Sequence, residues 1–134
     1  MIKFVAGMKY QLAQDFEIHT PITGEAIDDQ FFTLYRDGFL RVRKGFAWDG
    51  ASGPTLDTKN SMSASLVHDV LCIMMRDRRL SYARWQDITN LFFEEMCIRA
   101  GMWRWRSRLW YLAVEFADAG NPNQGPDRLI QLAP

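Results

Sequence analysis

"FFTLYRDGFLRVR", residues 31–43, sets two β-prone runs on either side of Asp37-Gly38, and reading it as a hairpin decides the fold class of the first part of the chain. Phe, Thr, Leu, Tyr and Val suit a pleated, half-buried surface, and Asp-Gly tolerates the positive φ of a two-residue type I′ turn. Upstream, residues 9–18 place Tyr10, Leu12, Phe16 and Ile18 at even positions, which predicts one strand with a single buried face. Residues 20–24 break that alternation. "FAW" at 46–48 predicts a further short strand after the hairpin.

From residue 58 the period changes to that of a helix. Asn60, Ser61 and Ser63 are candidate N-caps for a helix running to about Met75, because their side-chain oxygens can accept from first-turn amides. Leu66, Val67, Val70, Leu71, Met74 and Met75 recur at three- and four-residue spacing and define its inward face. A second helix is expected between an N-cap at Ser81 and a left-handed Gly101. Its apolar residues Trp85, Ile88, Leu91, Phe92, Met96 and Ile98 spread over more than one face, so contact on two sides is expected. A third helix is predicted over residues 102–119, stopped by Gly120 and Asn121-Pro122. Its stripe of Met102, Trp105, Leu109, Leu112, Ala113 and Phe116 is expected to be core, and the remaining tail to run extended. Strands followed by helices predict an α+β fold over 1–134 as a single domain, with a small antiparallel β-sheet in the N-terminal half packed against about three α-helices.

The 134 residues are 48% hydrophobic and 13% aromatic, which supports an ordered core and argues against a disordered chain. Sixteen basic residues balance sixteen acidic ones, so the net charge offers no global attraction to nucleic acid. No run approaches the ~20 apolar residues that span a bilayer, and residues 1–16 lack the apolar centre of a secretion signal, so a cytoplasmic product is expected. Cys72 and Cys97 fall in predicted helices without Cys-x-x-Cys or Cys/His metal spacing, which predicts two buried free thiols.

Chemistry concentrates in "GFAWDGASGPT", residues 45–55, together with His68-Asp69 on the following helix. Asp49, Ser52, His68 and Asp69 comprise two carboxylates, a hydroxyl and an imidazole, the groups from which acid/base or metal-assisted hydrolysis is assembled. On the enzyme reading Asp49, His68 and Asp69 would be the ligands of a divalent metal such as zinc. The competing structural reading makes Asp49 and Ser52 caps of their own turn and His68 a core-edge imidazole. The glycines match neither a Walker loop nor GxGxxG. In "GMWRWRSRLWYL", residues 101–112, Trp103, Arg106 and Trp110 are expected to share an outer aromatic-cationic patch suited to a protein partner. Glu94-Glu95 reads as a solvated helix face, and His19 as isolated.

The pair "GFAWDGASGPT" and "LVHDVLC" resembles the phage and prophage proteins grouped as domain of unknown function 1353, in which a "GF..DGAS.P" segment is followed by a helix bearing "HD.LY". Cys72 stands where that family usually has an aromatic, and Gly53 where a bulkier apolar residue is common. The resemblance implies phage or prophage origin, hence production in a bacterial host's cytoplasm, and a common structure joining turn to helix. Two classes of function follow as expectations. One is a non-catalytic virion, tail accessory or host-interaction component with other phage or host proteins as partners. The other is a small hydrolase, of cell-wall amides for example, using Asp49, Ser52, His68 and Asp69.

Overall fold

The computed structural model describes residues 2–5, 8–48 and 59–123. The chain divides into two compact units, 1–49 and 50–134. The first contains β1 (Ile2–Val5), β2 (Met8–Leu12), β3 (Phe16–His19), β4 (Ile27–Asp28), β5 (Phe32–Leu34), β6 (Phe39–Val42) and β7 (Ala47–Trp48). The second contains α1 (Lys59–Arg76), α2 (Tyr82–Arg99) and α3 (Arg104–Ala117). The architecture is therefore α+β, with antiparallel strands first and helices after them.

The strands form two sheets, ordered β1-β2-β7 and β3-β6-β5-β4, with antiparallel pairing throughout. The single strand expected over residues 9–18 is thus two strands, β2 and β3, in different sheets. The break has a local cause. Leu12 accepts from the Gly45 amide and donates to Phe46 O, both at 2.8 Å, while the Asp15 carboxylate accepts from the Lys44 amide at 2.9 Å. Residues 13–15 and 43–46 therefore leave one sheet together and enter the other. Gly45, at φ 98°, supplies the left-handed residue this corner needs.

The hairpin forms as read, with Phe32 opposite Val42 and Leu34 opposite Leu40. Its turn differs from the expected two-residue type I′. Tyr35 donates to Phe39 O at 2.8 Å and Gly38 to Tyr35 O at 3.0 Å, and only Gly38, at φ 92°, is left-handed. This is a three-residue loop ending in a glycine bulge. A Cβ on Gly38 would lie 2.2 Å from Thr20 O, because Thr20 closes on this turn through its amide and hydroxyl, both bonded to Gly38 O. Both φ and contact therefore require glycine. The register puts Leu34, Leu40 and Val42 in the interior with Ile22, and stacks Phe46 against Trp48 at 6.3 Å.

In the helical unit the face forecast for α1 is the buried one: Leu66, Val67, Val70, Leu71, Met74 and Met75 are all essentially inaccessible. Burial of side chains of this size contributes about 1.5–3 kcal/mol each before entropy is counted. The helix begins earlier than the candidate caps implied. Asn60, Ser61 and Ser63 lie within it, and Ser65 Oγ donates back to Met62 O at 2.9 Å. Ser81 does cap α2, accepting from the Arg84 amide at 3.2 Å. Gly101, at φ 105°, ends it through paired bonds, Gly101 N to Ile98 O and Met102 N to Cys97 O, with Met102 buried beneath. As expected, α2 packs against both other helices.

The third helix stops at a left-handed Asp118, two residues before the glycine expected to end it. Tyr82 donates to Asp118 Oδ1 at 2.5 Å and Asn121 donates to Oδ2 at 3.0 Å, which fixes that cap. Burial and the Asp118 carboxylate push the Tyr82 phenol up to about 12. Gly120 serves a different purpose: a Cβ there would sit 2.8 Å from Met75 Cε, so its absence lets the chain close onto α1. The apolar run at 129–132 lies outside the described residues.

The α1 terminus uses the same paired bonds as α2, from Arg78 N to Met75 O and Arg79 N to Met74 O, yet places Arg78 at φ 62° where glycine is the unstrained choice. Replacement Arg78→Gly is expected to stabilise the protein by roughly 0.5–1 kcal/mol. Arg78→Ala, like Arg78→Gly, removes the exposed 3.2 Å hydrogen bond that Arg78 donates to Asn123 Oδ1, but it keeps the strain and is expected to give no gain. Thermal unfolding followed by circular dichroism separates the two.

Candidate functional site

The buried face of α1 is apolar apart from Ser65, which bonds its own helix, and His68, whose imidazole enters the α1–α2 interface. Its ring is buried, tilted 5.2 Å from the Phe93 ring of α2, and its Nε2 lies 2.7 Å from Asn90 Oδ1. An amide oxygen only accepts, so Nε2 carries the proton and Nδ1 keeps its lone pair. Cys72, one turn further along α1, has its Sγ 3.6 Å from Nδ1 and 3.8 Å from Nε2, so the sulfur packs against the ring between its two nitrogens and not along the Nδ1 lone pair. The buried imidazole thus has two side-chain neighbours, Asn90 through a hydrogen bond at Nε2 and Cys72 through its sulfur.

Burial dominates the electrostatics. It pushes the His68 imidazole below its ordinary value, against the opposing pull of the Asn90 hydrogen bond and of Glu115 on α3. Burial, then the nearby Asp69 carboxylate, pushes the Cys72 thiol well above the ordinary range. A thiol, an imidazole and an amide are the elements of a cysteine nucleophile with its base and orienting group. With the thiol held protonated and out of solvent, this set instead ties α1 to α2. Both cysteines are free and buried, and Cys97 is likewise raised, to about 12, by burial and Glu94.

Of the residues singled out from sequence, His68 and Asp69 diverge as adjacent helical positions must: His68 is buried in the interface, whereas Asp69 is half-buried beside it. Asp49 and Ser52 lie outside the described residues. Among the described residues no group of three or more His, Cys, Asp and Glu side chains is arranged to hold a metal ion. Asn90 and Cys72 were missed as partners of His68. A signal was present for Asn90, which occurs among Trp85, Thr89, Phe92 and Phe93 on the inward side of α2, where a polar side chain must find a buried partner.

The second constellation lies where α2 passes into α3. Trp103, Arg106 and Trp110 line one groove of about 660 Å³ together with Met102, Trp105 and Leu109. Trp103 is 72% exposed and meets Trp105 edge to face at 6.4 Å, while Arg106 and Trp110 are half-buried. The orientation of α3 is the main departure from expectation. Ser107 is its fully buried residue, and the stripe expected to be core, Trp105, Leu109, Leu112 and Phe116, is 53–65% exposed. A small side chain lets α3 approach α2, and Arg108 clasps Glu94 of α2 through two contacts of 2.9 and 3.0 Å. Glu94 is correspondingly buried and not the solvated residue its neighbour Glu95 is.

His68 and Asn90 define a stability test with a pH signature. Asn90→Ala leaves a buried Nε2–H without its acceptor and is expected to cost roughly 1–3 kcal/mol. The folded imidazole titrates below its ordinary 6.5, so the unfolded chain binds the proton first and the contribution of neutral His68 is lost as pH falls below about 6.5. Melting temperatures between pH 7.5 and 5 are therefore expected to drop more steeply in the native protein than in His68→Gln. Parallel profiles would contradict the assignment.

No curated protein and no solved structure matches the chain. Among the described residues, no helix is long and apolar enough to cross a membrane. A family profile matches residues 26–114, covering β4 through most of α3 and hence both the His68 segment and the α3 groove. The chain belongs to the phage-associated family DUF1353, described as a protein of unknown function.

Proposed function

We propose that the chain is a non-catalytic phage or prophage component, of the virion or tail accessory kind or engaged with a host protein, acting through contacts of its helical unit. It would be made in the bacterial host cytoplasm and be available there for incorporation in the virion. The observation that carries this reading is the state of His68. Its ring is buried, its Nε2 proton is given to Asn90, and the lone pair left on Nδ1 belongs to that same buried ring, with the Cys72 sulfur packed against it. A general base or a metal ligand needs that lone pair directed at substrate or ion. The groove bearing Trp103, Arg106 and Trp110 supports a contact role, since exposed tryptophans beside an arginine are the side chains that anchor protein interfaces.

The alternative, a hydrolase using Asp49, Ser52, His68 and Asp69 with or without a divalent metal, requires His68 to exchange its present partners for that cluster. His68→Ala and Asp49→Asn, compared with the native protein for melting temperature and for bound metal by elemental analysis, separate the two. The proposed reading expects His68→Ala to lose on the order of 1–3 kcal/mol of stability and the native protein to carry no stoichiometric divalent metal. Unchanged stability, together with zinc present in the native protein and lost from the variants, would sink it.

A further inference from the structure

The exposed stripe of α3 is continuous, sided and regular. At about 100° per residue, Trp105, Leu109, Leu112 and Phe116 fall on the side opposite buried Ser107, so this face points away from α2. Their spacing of four, three and four residues is that of a coiled-coil seam. The N-terminus of the helix also lacks support of its own. Trp103 occupies the N-cap with no side-chain hydrogen bond, the first turn contains arginines and no acid, and the last turn contains no base. The first-turn arginines oppose the helix dipole and the amides beside them are uncapped by Trp103, so α3 depends on packing.

We propose that this face pairs antiparallel with the same face of a second copy of the chain. The inference deepens the contact role proposed above by naming the partner, and rests on that reading. Three features select a second copy. The seam reads aromatic, Leu, Leu, aromatic in either direction, and a two-fold axis requires such self-complementarity. Trp105 then meets Phe116 of the second copy, and Leu109 meets Leu112 of the second copy. Phe116 of that copy arrives at the mouth of the 660 Å³ groove lined by Trp103, Trp105, Arg106 and Leu109, which supplies an aromatic anchor with its recess.

Charge selects the antiparallel direction. Arg108 and Glu115 lie on the same flank of the seam, and reversal of one helix brings each alongside the other in the second copy. A parallel pair would set Arg108 near Ala113 instead. Arg108 engages Glu94 through Nε and one terminal nitrogen and lies over the Tyr111 ring, whose hydroxyl bonds Glu115, yet its side chain remains 53% exposed and keeps N–H groups that Glu94 does not use. The arginine-bearing first turn of one α3 would also lie beside the negative end of the other. A helix of 14 residues is about 21 Å long, so the interface is at the small end and its association depends on concentration.

Sedimentation equilibrium of the full chain over roughly 5–500 µM tests this, a range suited to a small interface. The native protein is expected to approach twice the chain mass. Leu112→Lys, at an exposed position, is expected to remain monomeric with an unchanged melting temperature. Glu115→Arg sets arginine against Arg108 and is expected to weaken association about tenfold. A native monomer at every concentration would overturn the proposal and leave the face to a different protein. Association that survives Leu112→Lys would place the contact elsewhere, and association indifferent to Glu115→Arg would overturn the antiparallel arrangement. None of these outcomes alters the His68 and metal measurements, so self-pairing can fail while the non-catalytic reading stands.

Discussion

The hydrogen bond from His68 Nε2 to Asn90 Oδ1 constrains the helical unit more than any other contact, because both groups are buried and neither has water to fall back on. An apolar α1–α2 interface alone would tolerate sliding by a fraction of a turn. A single donor meeting a single acceptor does not. With α1 and α2 set, Glu94 emerges where Arg108 can clasp it, Ser107 is buried, and α3 is left presenting its large apolar side chains outward. The groove beside Trp103 is therefore a downstream consequence of where α2 is held.

The β unit is governed by a different constraint, the position at which the chain changes sheets. Leu12, Asp15, Lys44, Gly45 and Phe46 form one corner through backbone and carboxylate bonds, and that corner divides the strands among the described residues into sheets of three and four. At the opposite end of the hairpin the Thr20 hydroxyl and amide converge on Gly38 O, so the turn is held from outside as well as by its own bond. Arg41 and Glu17, cross-strand partners 2.6 Å apart, add an exposed pair whose contribution is small.

Helix and strand identities were legible because they follow from local periodicity. The α1 face, the Ser81 cap, the Gly101 terminus and the pairing of 32–34 with 39–42 were all readable residue by residue. Half of the candidate site was readable too, in that His68 stands out as a polar interruption of an apolar face. Asn90 too stands among apolar residues, but its pairing with His68 was not readable, because it is 22 residues away and becomes a neighbour only when α2 packs. Glu94 was misread for a similar reason: its partner Arg108 is 14 residues on, across the α2–α3 turn.

The α3 stripe shows where the boundary lies. Amphipathic spacing determined that Trp105, Leu109, Leu112 and Phe116 share a side, and no tertiary fact could change that. Which side meets α2 was decided by packing: Ser107 is the residue of α3 that is fully buried, and Arg108 beside it clasps Glu94 of α2. By itself the sequence determined the element types, the turn residues and the faces, all consequences of bonds between residues a few positions apart. The tertiary structure alone decided which faces meet, who hydrogen-bonds His68, and which apolar face of the helical unit is left exposed, because those depend on geometry that closes only when distant segments share a core.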